Sequence, residues 1–267
     1  MMMMMTTTTL HCIADQDAEH YFRFMVKCAH DLASSPDDLV FNRIIPSGKG
    51  SNGHANGLMQ AFKDFNPEHI NVIADSDTVV LCRGWDMRLQ EVFSIVRQGN
   101  QPGDRVDILG GLPEPLNGVC RGTGPKQMHG RVIMTWTAFA PNVTLVGHDF
   151  SPDKGRHHFI IDEQDSKRWA LPIGHDVLCD TAWRLPIIYD EMDLRVVGLK
   201  NRRLNSLPGC ETLDKAHELW MLDTGSATAL PFVAHQRSSC NHRFMGDAFS
   251  KSFYESCERI LMMQIHE

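Results

Sequence analysis

Asn71-Val72-Ile73-Ala74-Asp75-Ser76-Asp77-Thr78-Val79-Val80-Leu81 is the stretch around which the chain is organised. Its β-branched residues predict a short buried strand that delivers two carboxylates, one residue apart, to its end. Carboxylates so close repel each other and are costly to strip of water, so both stay ionised most easily with a cation beside them. A hard divalent ion, Mn²⁺ or Mg²⁺, suits the place, because it takes oxygen ligands and can share its remaining positions with a diphosphate. The plainer alternative is a strand ending in a solvated Asp-Ser-Asp turn, and the flanking sequence has to decide between them.

Upstream, Leu10 to Ala14 predicts a first strand, and Tyr21, Phe22, Met25, Val26, Ala29 and Leu32 are spaced as one apolar helix face. Leu39 to Ile45 predicts a second strand, stopped by Pro46. Ser47 to His54 is a glycine-rich loop, and Ala55 to Phe62 the helix it enters. Such a junction can turn backbone N–H groups and a helix dipole towards an anion, although neither mononucleotide fingerprint is present. Strand alternating with helix predicts a mostly parallel sheet covered on both faces, with ligands gathering at the carboxyl ends of its strands.

Downstream, Gly84 to Phe93 predicts a helix whose Trp85 is a core or lid aromatic. Val106 to Leu109 and Val132 to Phe139 predict strands either side of a long irregular segment, Gly110 to Gly130. Asp176 falls where a helix over Val177 to Leu185 is expected to begin, and Ile187-Ile188-Tyr189 and Leu194 to Val197 read as strands. The apolar run from Pro231 ends on His235, and a last helix is expected over Asp247 to Gln264.

A chain of 267 residues, 42% hydrophobic and 22% charged, can bury one large core. Its net charge of -7 argues against a broad nucleic-acid footprint. Eight scattered cysteines without a C-x-x-C pair read as reduced core thiols, and no apolar run approaches the ~20 residues of a membrane helix. Met1 to Thr9 lacks the pattern of a secretory signal and is expected to be frayed, with a cytoplasmic location as the default. Nothing in the composition speaks to oligomeric state.

Gly50-Ser51-Asn52-Gly53-His54-Ala55-Asn56-Gly57-Leu58, the helix after it, Val72 to Thr78, and Gly84-Trp85 together resemble the nucleotide-sugar glycosyltransferases of the A-type fold. The resemblance implies an α/β fold over residues 10–267, a single Rossmann-like domain whose mostly parallel central sheet is flanked by helices. Residues 10–100 would form its nucleotide-sugar half, and 101–267 a C-terminal acceptor-side portion. It implies metal and diphosphate binding by Asp75 and Asp77, with Asp77 the direct ligand, and donor contacts from Asp15 or Asp17 and from Asn56. Asp176 would be the catalytic base, with His175 where the family usually has glutamate, and His235 would be a further metal ligand. The implied activity is metal-dependent transfer of a sugar from a nucleotide-diphosphate donor to a glycan or other hydroxyl acceptor, of hexosyltransferase type. Two alternatives stay open: a nucleotidyltransferase, although Cys12 to Ala18 lacks the glycine-rich basic loop it should carry, and a catalytically silent glycan- or nucleotide-binding module.

Overall fold

The computed structural model describes residues 6–14, 19–48, 50–98, 106–111, 120–121, 135–148, 150, 158–160, 162–169, 173–174, 176–179, 185–207, 210–211, 217–223, 229–236 and 247–265. Strand β1 (Thr8–Ile13) lies between β2 (Leu39–Ile44) and β3 (Ile70–Asp75), parallel to both, and its last residue Ile13 is in register with Ile44 and Asp75. Thr8 and Thr9, expected in a frayed terminus, are buried in β1. Side chains alternate between the faces, as a period of two requires. Leu10, Cys12, Val72 and Ala74 meet Met25, Ala29 and Leu32 of helix α1 (Glu19–Leu32) on one face. Ile13 and Ile73 meet Ala55, Leu58, Ala61 and Phe62 of α2 (Gly50–Lys63) on the other.

Beyond β3 the expectation of a Rossmann-like, mostly parallel, helix-flanked sheet is overturned. Among the described residues the sheet is nine-stranded and mixed. After β3 it runs through β7 (Trp136–Phe139), β5 (Ile108–Gly111), β10 (Val196–Arg203), β11 (Glu218–Leu222) and β12 (Leu230–His235) to β4 (Thr78–Val80). Of these later pairings only β5 with β10 is parallel; β3–β7, β7–β5, β10–β11, β11–β12 and β12–β4 are antiparallel. Strands from either side of residue 100 thus interleave, and the C-terminal portion completes the same sheet.

That sheet cannot be flat. Only Ser76 and Asp77 separate β3 from β4, and such a link reaches about 11 Å. Yet β3 is third in the order and β4 ninth, which in a flat sheet would place them about 29 Å apart. The sheet therefore curls into a half-barrel. The bend falls at β10, whose Val196–Leu199 pair with β5 while Lys200–Arg203 pair with β11. One cluster fills the concave side, with Trp85, Trp136, Trp220 and Phe232 packed among residues of α1 and the strands. On the outer side, Phe253, Tyr254, Cys257 and Ile260 of a C-terminal helix (Asp247–Ile265, α6, the sixth α-helix among the described residues) cover β4, β11 and β12.

Short apolar runs were the least legible. Ile187 to Tyr189, expected as a strand, lie in helix α5 (Leu185–Glu191), and the glycine-rich segment expected as a loop is already helical from Gly50. A small second sheet pairs β9 (Asp176–Cys179) with β6 (Cys120–Arg121) and β8 (His158–Ile160), and a short helix α4 (Glu163–Trp169) lies between β8 and β9 in sequence. Asp176 therefore opens a strand rather than a helix. Five cysteines among the described residues, Cys12, Cys28, Cys82, Cys210 and Cys257, are free and buried. No helix among the described residues is long and apolar enough to cross a membrane.

Trp85 is a core residue, wholly buried at the start of α3 (Trp85–Gln98), and its indole donates to the Ala29 carbonyl in the last turn of α1. Beside it the buried Asp86 carboxylate accepts the backbone N–H groups of Ser34 and Ser35, at 2.8 and 2.9 Å. Asp86→Ala would strand both donors and is expected to lower unfolding free energy by about 1–3 kcal/mol in urea titrations.

A second buried polar cluster sets an acid limit. Asn71 donates through its amide to the Asn66 and His69 carbonyls, so its oxygen, 3.2 Å from His11 Nε2, must accept. His11 Nδ1 in turn accepts from Asn42, whose amide also donates to Asp64. A second proton on this ring would face the Asn42 amide hydrogens. Burial, foremost, and His69 nearby lower the His11 pKa, outweighing Asn71 and Asp64, which raise it. The unfolded chain thus takes up a proton near pH ~6.5 that the native state refuses, and stability falls as pH drops below that value. His11→Gln should flatten the dependence of Tm on pH between about 6.5 and the lower native pKa.

Candidate functional site

The turn Asp75-Ser76-Asp77 is pinned from every side. Asp75 N–H donates to the Thr135 carbonyl at 2.7 Å and Ser76 N–H to that of Ile13 at 3.2 Å. The Thr78 hydroxyl donates back to the Asp75 carbonyl at 2.8 Å. Continuing the β12–β4 ladder, Gln236 N–H donates to the Asp77 carbonyl at 2.9 Å, and from α6 the Tyr254 hydroxyl donates to the Ser76 carbonyl at 3.3 Å. The curl of the sheet thus brings β12 and α6 onto the tip of β3.

Each carboxylate faces a histidine. His54 Nε2, from the first turns of α2, lies 3.1 Å from Asp75 Oδ1, and the two side chains are 28% and 16% exposed. Burial, foremost, and the nearby Asp77 hold the Asp75 carboxyl above its ordinary pKa, against the opposing pull of His54. His235 Nε2 lies 3.7 Å from Asp77 Oδ2, while its Nδ1 is 2.8 Å from Glu218 Oε2. Burial alone would lower the His235 pKa, but the flanking carboxylates of Asp77 and Glu218 overcome it and push it up to about 10.

The glycines of the preceding segment serve close packing. A β-carbon on Gly57 would come within 2.8 Å of Ile13, so this residue lets α2 lie against the end of β1. Gly48, at φ +100°, turns the chain beneath Gly53. Asn56 donates its amide to the Ser47 carbonyl at 2.8 Å, closing the same turn.

Of the residues expected from sequence, the fold gathers Asp75, Asp77 and His235. Asn56 is committed to the loop, and Asp176 belongs to the small sheet. Asp15, Asp17 and His175 lie outside the described residues, although the strand that Asp15 follows ends beside Asp75. Sequence reasoning passed over His54, Glu218 and Tyr254. For Glu218 a signal existed: Glu218-Leu219-Trp220-Met221-Leu222 is an apolar strand opened by an acid, a placement that demands a partner.

The chain matches no protein-family model and no curated protein. The likeness to glycosyltransferases therefore rests on the quoted motifs, and the site has to be judged on its own chemistry.

Among the described residues, no three His, Cys, Asp or Glu side chains are grouped so as to hold a metal ion. Asp77 and His235 nevertheless fit as a pair, with the incoming ion displacing the proton that the flanking carboxylates hold on His235. Their 3.7 Å separation is too long for a good hydrogen bond, but it is one that two ligands about 2.1 Å from a shared ion can span with a widened angle. Mn²⁺ accepts such an oxygen and nitrogen pair, and a divalent ion of this kind leaves its other positions to water or phosphate oxygens.

Proposed function

We propose that this chain is a metal-dependent glycosyltransferase that moves a sugar from a nucleotide-diphosphate donor to a glycan or other hydroxyl acceptor. One observation carries this reading: Asp77, at the head of β4, and His235, at the end of the neighbouring β12, face each other at 3.7 Å beside a second carboxylate, Asp75. A divalent cation held there would offset the negative charge that builds on the departing diphosphate. The chain's own part is to keep the turn rigid. The bonds from Gln236, Thr78 and Tyr254 fix where Asp77 stands before any ligand arrives. His54, the more exposed partner of Asp75, balances the charge of the carboxylate nearest the surface. Asp176 has lost the helix-start setting that made it the candidate base, and no acceptor base is assigned. We place the protein in a reducing, cytoplasmic setting on the strength of the five buried free thiols among the described residues.

The test is Mn²⁺-dependent hydrolysis of UDP- and GDP-sugars, together with thermal shift by nucleoside diphosphates in the presence of Mn²⁺. Turnover that requires Asp77 supports the transferase. A second reading, a silent nucleotide- or glycan-binding module, is favoured by the fact that His54 and His235 already balance the carboxylates. Stabilisation by a nucleotide that is indifferent to Mn²⁺, with no hydrolysis, would select that reading instead.

A further inference from the structure

Glu218 is buried, with its side chain 4% exposed, and both of its oxygens are committed. Oε1 accepts from the Asn201 amide at 3.1 Å and Oε2 lies 2.8 Å from His235 Nδ1. An ionised carboxylate only accepts, so Nδ1 carries a proton and donates it to Glu218. The backbone enforces this pairing, because Glu218 and His235 are register partners on β11 and β12. The ring plane is set from a third direction by Trp220, whose indole centroid lies 5.2 Å from that of His235 at 30°. With Nδ1 committed, Nε2 is the nitrogen turned towards Asp77.

Building on the metal-dependent reading above, we propose that Glu218 is a positioning residue: held by Asn201, it fixes the His235 ring so that Nε2, which gives up its proton when the ion binds, is presented with Asp77 to a divalent cation. It acts through His235 rather than touching ion or substrate. Carboxylates behind metal-binding histidines orient the ring and raise its basicity, and their loss weakens metal binding.

The experiment uses the full chain stripped of metal, with Mn²⁺ alone as the probe, followed by the electron paramagnetic resonance signal of the free ion. Wild type should bind, and Asp77→Asn and His235→Gln should lose binding. Glu218→Leu should weaken Mn²⁺ binding about 10–100-fold. Glu218→Gln, whose carbonyl can accept the same Nδ1 proton, should restore most of it. Near-UV circular dichroism checks that each variant is folded. If Glu218→Leu does not fold, Asn201→Ala, which frees the Glu218 carboxylate, should weaken binding in the same direction; unchanged affinity there overturns the proposal. Wild-type affinity in a folded Glu218→Leu, or equal loss in the Leu and Gln variants, also overturns it while leaving the metal-dependent reading intact. Failure of wild type to bind Mn²⁺ removes that reading and this proposal together.

Discussion

Asp77→Asn is expected to reduce Mn²⁺-dependent turnover of a nucleotide-sugar by about 10²–10³-fold, the usual scale for removing one preorganised electrostatic group. The same substitution should lower thermal stability in metal-free buffer, because Asp77 and Glu218 flank His235 and support its charged form together. Asp75→Asn should separate from it. That carboxyl is pushed above its ordinary pKa by burial and by Asp77, so its neutral isostere relieves repulsion and leaves metal-free stability unchanged or raised. Sequence alone predicts the same stability change for both aspartates, since only their mutual repulsion is visible there. The difference arises from His235, which reaches Asp77 through tertiary structure. Paired melting curves and initial rates with and without Mn²⁺ measure it; equal stability responses in the two variants would count against the buried Asp77–His235–Glu218 arrangement.

Gly111→Ala is expected to destabilise the protein by about 3 kcal/mol, the upper end for overpacking a core. A β-carbon at this position would overlap the ring of Trp220, which is fully buried and has no free end to swing aside. The indole packs against the His235 ring at 5.2 Å, so its displacement should also lower Mn²⁺ affinity, although Gly111 has no place in the site itself. Trp220→Phe in the same chain should return part of the loss, because the smaller ring vacates the overlapping volume. A double-mutant cycle of urea-unfolding free energies reads this coupling, and simple additivity would show that the ring is not what Gly111 accommodates.

The first three strands and their helices were legible because hydrophobic period and Pro/Gly punctuation agree over Leu10 to Asp75. The candidate site was half legible: an acidic couplet at a strand end is a local signal, whereas His235 lies 158 residues further along the chain than Asp77. What failed was strand direction. Thr78-Val79-Val80-Leu81 continues the β-branched character of β3, so the two look like one strand, and Asp75-Ser76-Asp77 is the only break. Nothing local says that Val79 will pair with Ala234. In α5, Ile187 and Ile188 have strand character, and the available corrective was Pro186, which suits a helix's first turn. Asp176 shows the opposite error, since an acid before an apolar run reads as a cap whether helix or strand follows.

The split between β3 and β4 has a consequence for how the protein is made. Thr78–Val80 leaves the ribosome long before Leu230–His235, the strand it pairs with, so for most of translation this hydrophobic segment has no hydrogen-bonding neighbour. Asp77 can meet His235 only when nearly the whole polypeptide is available. Such distant pairing folds slowly, and a nascent chain stalled before residue 230 would hold an unfinished acidic tip beside a sticky edge, a natural target for chaperones.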